Sequence, residues 1–222
     1  LSDRTLRISG SGEMKKWKYD DKCDWHDSQY TNIIENAIIE NKITSIGDEA
    51  FSGCSSLVNI EISSSVTSID WRTFYGCSSL ERIEIPSSVT SIGNEAFSGC
   101  SSLGNIEIPS SVTSIGGFAF RECSSLVNIE IPSSVTRIDN SAFSECSSLT
   151  SIKVNENNTK YTSESGVLFD KNKTKLIKYP CKKQGTKEYS IPSSVTSIGD
   201  YAFRGCSSLE NIEIPSSVTS IG

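Results

Sequence analysis

The sequence has few of the residues from which most catalytic and metal sites are built. It contains one histidine, His26, and one methionine in 222 residues. It has no phosphate-binding loop, dinucleotide-binding glycine pattern, nucleophile elbow or EF-hand loop. We therefore expect no enzymatic activity, no cofactor and no metal.

One short stretch, residues 20–27, could still carry chemistry. Cys23 and His26 are compatible with a nucleophile and its base. Four aspartates in the same stretch are compatible with a metal site: Asp20, Asp21, Asp24 and Asp27. Either function needs a fixed cleft or ligand shell, and acidic density alone supplies neither. We interpret the stretch as a solvated loop.

Long apolar runs and positive charge are also scarce. No apolar run approaches the roughly 18 residues of a membrane span, so we predict none in this sequence. The net charge is −6, and basic residues cluster only in 171–188, which disfavours nucleic-acid binding. No signal peptide is visible at Leu1, and the chain stops within a repeat at Gly222. We expect a piece of a longer protein.

Repetition is what the sequence has in abundance. The segment 86–108, PSSVTSIGNEAFSGCSSLGNIEI, recurs almost unchanged as 109–131. The cysteines that mark each unit are 23 residues apart: Cys54, Cys77, Cys100, Cys123 and Cys146. A fixed period of roughly 20 to 50 residues indicates a solenoid.

Each repeat predicts two short strands joined by turns. Apolar and polar residues alternate in 103–108, which turns Ile106 and Ile108 to one face. Pro109 ends this strand because it has no N–H to donate, and 112–115 is a second β-prone run. The alanine, phenylalanine and cysteine that follow are also apolar. One repeat cannot bury them, whereas coils stacked about 4.8 Å apart can.

The motif Leu-x-x-Ile-x-Ile-Pro-x-x-Val-Thr-x-Ile-Gly-x-x-Ala-Phe-x-x-Cys resembles the unit of BspA-type leucine-rich repeat proteins, over about residues 34 to 222. The resemblance implies a mainly β, right-handed solenoid with a parallel concave sheet, short second strands and turns on the convex side, and little regular helix. It also implies a secreted or cell-surface protein, often an adhesin of a host-associated microbe. The expected partner is then an extracellular protein or glycan, and the oligomeric state stays open.

Two regions depart from the repeat. Residues 1–33 are predicted to be an N-terminal cap, with an aromatic binding pocket as the alternative. Their aromatic residues are Trp17, Tyr19, Trp25 and Tyr30. The solenoid is predicted over 34–222, with an irregular 37-residue coil at 155–191 and a truncated last repeat at 215–222. In the irregular coil, two β-prone runs around a polar turn predict a hairpin.

The apolar columns predict the core. Phenylalanines at one repeat position are expected behind the concave sheet: Phe74, Phe97, Phe120, Phe143 and Phe203. The five regularly spaced cysteines are expected to be buried free thiols, because each interior one has two equivalent neighbours and cysteine packs as a small hydrophobe. Cys23 and Cys181 lie outside this column.

The outward side of the concave strands is the candidate binding face. Its residues are Asn59, Glu61, Arg82, Glu84, Asn105, Glu107, Asn128, Glu130, Ser151, Lys153, Asn211 and Glu213. Four successive glutamates of this set should stack as an acidic column, repelling by roughly 0.8 kcal/mol per pair. The column is either a site for a basic partner or cation, or a solvated face copied by repeat duplication.

These patterns favour a non-catalytic binding module, because the chain has a repeat architecture and lacks catalytic motifs. The alternative is a structural spacer that holds other domains away from a cell surface. Near-identity of the repeats favours the spacer, because a tuned binding face usually diversifies its outward positions.

Overall fold

The computed structural model describes residues 3–14, 25, 28–183 and 187–222. Within these residues the chain forms a mainly β solenoid of about eight turns with parallel sheets, which confirms the predicted fold class. The one helix in the described part is the four-residue α1 (Ser28–Thr31), and no helix there is long and apolar enough to cross a membrane.

Three groups of strands build the coils. The concave strands are β1 (Thr5–Ile8), β3 (Asn36–Ile39), β5 (Asn59–Ile62), β7 (Arg82–Ile83), β9 (Asn105–Ile106), β11 (Asn128–Ile131), β13 (Ser151–Val154), β17 (Glu188–Ser190) and β19 (Asn211–Glu213). The second strands are β2 (Gly12–Glu13), β4 (Ile43–Ser45), β6 (Ser68–Ile69), β8 (Ser91–Ile92), β10 (Ser114–Ile115), β12 (Arg137–Ile138), β18 (Ser197–Ile198) and β20 (Ser220–Ile221). The irregular coil adds β14 (Tyr161–Glu164), β15 (Val167–Asp170) and β16 (Lys175–Lys178).

Prolines interrupt the concave sheet. The strands pair in parallel as β1-β3-β5, β7-β9, β11-β13 and β17-β19. Where the residue after a strand has an N–H, it bonds back to the preceding coil, as Asn155 does to the Ile131 carbonyl at 2.9 Å. Prolines stand at that position after residues 85, 108 and 131 and cannot donate. Strand β7 faces Pro109 of the next coil and ends at Ile83, and β9, expected to reach Ile108, faces Pro132 and ends at Ile106. Strand β11 reaches Ile131 because Asn155 of the next coil donates to it.

A stack of phenylalanines fills the space behind the concave sheet. Phe51, Phe74, Phe97, Phe120 and Phe143 are buried, and successive ring centroids lie 5.4–5.6 Å apart with interplanar angles of 3–17°. This confirms the predicted core phenylalanines of the regular coils. Phe203, the last member of the predicted set, is only partly buried, and its ring centroid lies 5.3 Å from that of Tyr179.

Serine and threonine side chains tie each coil to the one before. Ser111 Oγ donates to the Val89 carbonyl at 2.6 Å. Thr113 donates to the Thr90 carbonyl twice, from its backbone N–H at 2.8 Å and from Oγ1 at 3.2 Å. The same bonds recur in neighbouring coils. These polar residues repeat because each one satisfies a backbone carbonyl of the adjacent coil.

The N-terminal residues continue this stacking. Strand β1 pairs in parallel with β3, and β2 pairs with β4. Trp25 donates from its ring nitrogen to the Ala50 carbonyl at 2.7 Å, and its ring lies 6.5 Å from Phe51 at the first end of the phenylalanine stack. Trp17 and Tyr19 lie outside the described residues. The division into a cap and a solenoid at residue 33 stays a prediction.

The irregular coil adds three strands to the concave strand β17, one more than the two β-prone runs. Strand β15 pairs antiparallel with both β14 and β16, and β16 then pairs in parallel with β18. Buried Asn158 joins this coil to the preceding one. Its Nδ2 donates to the Pro132 and Val135 carbonyls, and its Oδ1 accepts from the N–H groups of Lys160 and Tyr161. Parallel pairing between coils resumes where Lys175 of β16 lies beside Ser197 of β18.

The phenylalanine stack yields a stability prediction. Phe97→Ala should lower the free energy of unfolding by about 3–5 kcal/mol, because a fully buried aromatic ring between two others is lost. Urea denaturation of the variant and the parent measures this difference. Exposed Tyr75→Ala is the control and should change stability far less. Equal midpoints for Phe97→Ala and the parent would contradict a core role for the ring.

Candidate functional site

The concave face is a continuous polar surface. All the candidate residues on it are exposed except Ser151, which is half-buried. The parallel register places Arg82 beside Asn105, and Glu130 beside Lys153. Side chains also bond along the sheet: Asn211 Nδ2 donates to Glu188 Oε1 at 3.3 Å. The sheet thus brings the predicted residues onto one surface.

The acidic column has one ion pair at its end. Lys153 Nζ lies 3.1 Å from Glu130 Oε2, and the side chains are 71% and 52% exposed. Such an exposed pair contributes little, because water screens it. Glu61 lies beside Ile38 in the ladder, so the column starts next to an uncharged residue. Whether the column binds a partner stays a prediction.

A second surface lies on the turns on either side of Phe74, Phe120 and Phe203, and sequence reasoning missed it. We call it the aromatic edge. Its residues are Trp71, Arg72, Tyr75, Phe118, Arg121, Tyr201 and Arg204. Tyr75 and Tyr201 are exposed, at 39% and 42%. Trp, Tyr and Arg are the residue types that most often carry binding energy at protein interfaces.

At one end of the edge, two rings hold an arginine. The Arg72 guanidinium carbon lies 4.8 Å from the Trp71 ring centroid and 4.7 Å from that of Tyr75. Arg72 Nε and Nη2 both donate to Glu95 Oε2, at 3.0 and 2.9 Å, and Glu49 Oε1 lies 3.6 Å from Nη1. Cation–π and charge-assisted bonds of this kind fix a side chain in one orientation.

At the other end, aromatic residues of separate coils meet. The Phe118 and Tyr201 rings contact edge-on with centroids 6.1 Å apart. The Arg204 guanidinium carbon lies 5.0 Å from the Tyr201 ring centroid. Arg121 and Arg204 each reach Glu145 Oε1 at 3.2 Å. Tyr201 follows the irregular coil, so the fold brings together residues that are 83 positions apart, counted from 118 to 201.

An open groove of about 460 Å³ lies between the two ends. It is lined by Trp71 and Phe118 together with Asn94, Gly117 and Asn140, among others. The volume falls in the range of ligand-sized clefts, about 300–1,000 Å³. The groove combines two aromatic rings with amide and carboxylate groups. Asn94 Oδ1 already accepts from the Gly117 N–H at 2.8 Å, and Asn140 Nδ2 donates to Asp200 at 2.7 Å, so the amides are held in fixed orientations.

One turn position has a left-handed backbone in every regular coil. Its φ is 52°, 56° and 54° at Arg72, Phe118 and Tyr201, and 57°, 55° and 63° at Glu49, Glu95 and Ser141. This conformation costs L-residues roughly 1–2 kcal/mol each. The strain therefore belongs to the repeat and does not single out the edge. A sequence signal for the edge existed: this position and the one before it vary from coil to coil, whereas the phenylalanine two residues later is constant. The varying residues are Glu49, Arg72, Glu95, Phe118, Ser141 and Tyr201, preceded by Asp48, Trp71, Asn94, Gly117, Asn140 and Asp200.

The other candidate chemistry lies at residues that the structure does not describe. No group of three or more His, Cys, Asp or Glu residues in the described part could hold a metal ion. Cys23 and His26, with Asp20, Asp21, Asp24 and Asp27, lie outside the described residues.

The repeat cysteines form a buried column, as predicted. The Sγ atoms of Cys77, Cys100, Cys123 and Cys146 donate to the phenylalanine carbonyls 26 residues earlier, at 3.0–3.2 Å. Burial, and then the neighbouring thiol, raise the pKa of Cys77, Cys100 and Cys123 well above the ordinary value. These thiols are therefore protonated and unreactive in the folded chain.

The repeat pattern matches one protein family over most of its length. The profile of the BspA-type leucine-rich repeat region matches in six copies, over residues 28–88, 72–184 and 174–222. The chain belongs to this family. The family and its fold are typically non-catalytic. A search of curated proteins found no match.

Solved structures of similar proteins are bacterial. A leucine-rich repeat protein from Eubacterium ventriosum is 31% identical, with a TM-score of 0.85, over 100% of this chain and 58% of that one. A leucine-rich cell surface protein from Faecalibacterium prausnitzii is 28% identical, with a TM-score of 0.74, over 100% and 69%. The pneumococcal vaccine antigen PcpA shares the fold at 23% identity and a TM-score of 0.74, over 96% and 61%. This chain thus spans less than two thirds of the Eubacterium protein.

The cysteine column predicts an alkaline loss of stability. Because the pKa of Cys100 is raised in the folded chain, the folded state keeps a proton that the unfolded state loses above about pH 9. The free energy of unfolding should therefore fall as pH rises through that range. Urea midpoints measured from neutral to alkaline pH should fall less steeply for Cys100→Ala than for the parent. Val112→Ala, a buried change without a titrating group, should leave the slope unaltered. An unaltered slope for Cys100→Ala would refute the prediction.

Proposed function

We propose that the chain is a non-catalytic binding module of a cell-surface or secreted protein, with an adhesin-like role, and that the aromatic edge contacts an extracellular protein. The carrying observation is the concentration of aromatic and arginine side chains on one edge of an otherwise repetitive solenoid. The similarity to a cell surface protein supports the compartment.

The arrangement of the edge suits protein recognition. Arg72 is already desolvated in part and held by two rings and two carboxylates, so binding would cost little side-chain entropy. Rigid aromatic side chains supply large contact areas at a low entropic cost. Trp71 and Phe118 at the ends of the groove are then the anchors for a partner side chain.

The concave face is a second candidate surface. Its acidic column, from Glu61 to Glu130, offers a basic partner a row of exposed carboxylates at the spacing of the coils. Lys153 ends the column, so a basic segment would bind the coils before it. This face and the aromatic edge lie on different parts of each coil and can be tested separately.

The spacer alternative draws less support than repeat identity alone suggests. The constant serines and threonines bond between coils, so their repetition has a structural cause. Outward turn positions that are free of this constraint do diversify, as Arg72, Phe118 and Tyr201 illustrate. A pure spacer gives no reason to gather aromatic and arginine side chains there.

The aromatic edge generates a binding prediction. In a screen against extracellular matrix proteins and a glycan array, the chain should bind a protein. Trp71→Ala and Tyr201→Ala should each weaken that binding by about 30-fold or more, the loss expected for a hot-spot residue. Tyr30→Ala is the matched control, since Tyr30 is an exposed aromatic (37%) away from the edge, and should bind normally. Unchanged affinity in both edge variants would contradict the proposal, and binding to glycans alone would assign the groove to sugars.

The concave column generates a separate prediction. A variant with Gln in place of Glu61, Glu84, Glu107 and Glu130 should bind a basic partner more weakly and with less dependence on salt. Screening acts over about 8 Å at physiological ionic strength, so the parent should lose affinity as salt rises. Stability should not fall, because the variant removes like-charge repulsion. Parent-like binding by this variant at low salt would show that the column is only a solvated face. If the parent chain binds nothing in either screen, the spacer function is favoured.

A further inference from the structure

The irregular coil places Cys181 in contact with Cys206, the cysteine of the regular repeat that follows. Sequence spacing placed Cys181 outside the cysteine column, but Cys181 is buried and its Sγ lies 3.0 Å from that of Cys206. The two residues are 25 positions apart instead of 23. The irregular coil therefore supplies its own cysteine in place of the regular motif.

This contact differs from those of the regular coils. There the cysteine Sγ lies 3.0–3.2 Å from a phenylalanine carbonyl. Cys206 is 3.7 Å from the equivalent Tyr179 carbonyl and donates to the Cys181 sulfur instead. A disulfide bond is about 2.05 Å long, so an approach of about 1 Å would join the two sulfurs.

A buried cation adjoins the pair. Lys178 is 3% exposed, and its Nζ donates to the Tyr201 and Arg204 carbonyls at 3.3 Å each. No ion pair found among the described residues includes Lys178. A buried charge needs an opposite charge nearby, and a Cys181 thiolate would supply it.

The surrounding charges favour one thiolate in the pair. The hydrogen bond from Cys206 lowers the pKa of Cys181 to about 7, against the opposing effect of burial and with help from Lys178. The other titratable groups nearby are Cys146, whose own pKa burial raises to about 12, and Glu145, which is paired with Arg121 and Arg204. Near neutral pH the pair therefore exchanges between a form with two thiols, in which Cys181 Sγ donates to the Arg204 carbonyl at 3.2 Å, and a form with a Cys181 thiolate.

We propose that Cys181 and Cys206 are a redox-active pair that is oxidised to a disulfide by a small external disulfide, R–S–S–R. Cys206 is partly exposed and Cys181 is not, so Cys206 attacks first, and its proton crosses the 3.0 Å contact between the two sulfurs to the Cys181 thiolate. This step forms a Cys206–S–S–R bond and releases R–S⁻. Cys181 then gives its proton to that R–S⁻ and attacks Cys206 Sγ, which releases the second R–S⁻. The cysteines lose two electrons and one proton, and R–S–S–R becomes R–SH and R–S⁻.

The bond would join the irregular coil to the regular coil that follows. In an extracellular setting it would lock the point at which the repeat register changes, because Cys181 belongs to the irregular coil and Cys206 to the next. The proposal does not depend on which face of the solenoid binds a partner.

Oxidation of the folded chain tests the proposal. The reduced protein is incubated with oxidised glutathione, and peptide mapping follows alkylation after denaturation. We expect one disulfide, between Cys181 and Cys206, with Cys77, Cys100, Cys123 and Cys146 still alkylated. The melting temperature should rise on oxidation and return on reduction. A parent chain whose Cys181 and Cys206 stay fully alkylated, or link to other cysteines, would overturn the proposal.

Three variants separate the roles of the residues. Cys181→Ser should stop at a glutathione adduct on Cys206, since the resolving sulfur is gone. Cys123→Ala is the matched control and should form the disulfide normally. Lys178→Met should slow oxidation near neutral pH by about tenfold for each unit by which the pKa of the Cys181 thiol rises. Equal rates for Lys178→Met and the parent would show that the cation has no part in the reaction.

Discussion

Hydrogen bonds between equivalent residues of successive coils fix the position of every other feature of this solenoid. The Thr113 N–H bonds to the Thr90 carbonyl, and the Phe97 N–H to the Ala119 carbonyl, so each coil is tied to the coils on both sides. Phenylalanine rings then stack at 5.4–5.6 Å, close to the strand spacing of about 4.8 Å. In such a one-dimensional array, a change in one coil acts on its neighbours first.

The same constraint separates structural from variable positions. Ser111 and Thr113 repeat because their side chains satisfy carbonyls of the preceding coil. The outward turn positions carry no such bond to a fixed partner, so side chains there can change without breaking the stack. Arg72, Phe118 and Tyr201 use this freedom and gather the aromatic surface that the concave strands lack.

The irregular coil shows how a change of register creates new contacts. Its antiparallel strands replace one regular turn, yet Leu176 returns to the ladder beside Ile198. Tyr179 is buried there and stacks on the Phe203 ring, with centroids 5.3 Å apart. Cys181 comes within 3.0 Å of Cys206, and Phe118 meets Tyr201 across the coil between them. Neither contact follows the 23-residue spacing.

The repeat pattern was enough to predict the fold class, the family, the phenylalanine core, the cysteine column and the outward direction of residues such as Glu107, because a strict period transfers one coil's geometry to all. The places where the concave ladder breaks came from the three-dimensional structure, since they depend on which carbonyl of one coil faces a proline of the next. That structure alone placed Arg72 between two rings and Cys181 beside Cys206, because both contacts depend on distances across coils that a repeat pattern does not encode once its period changes.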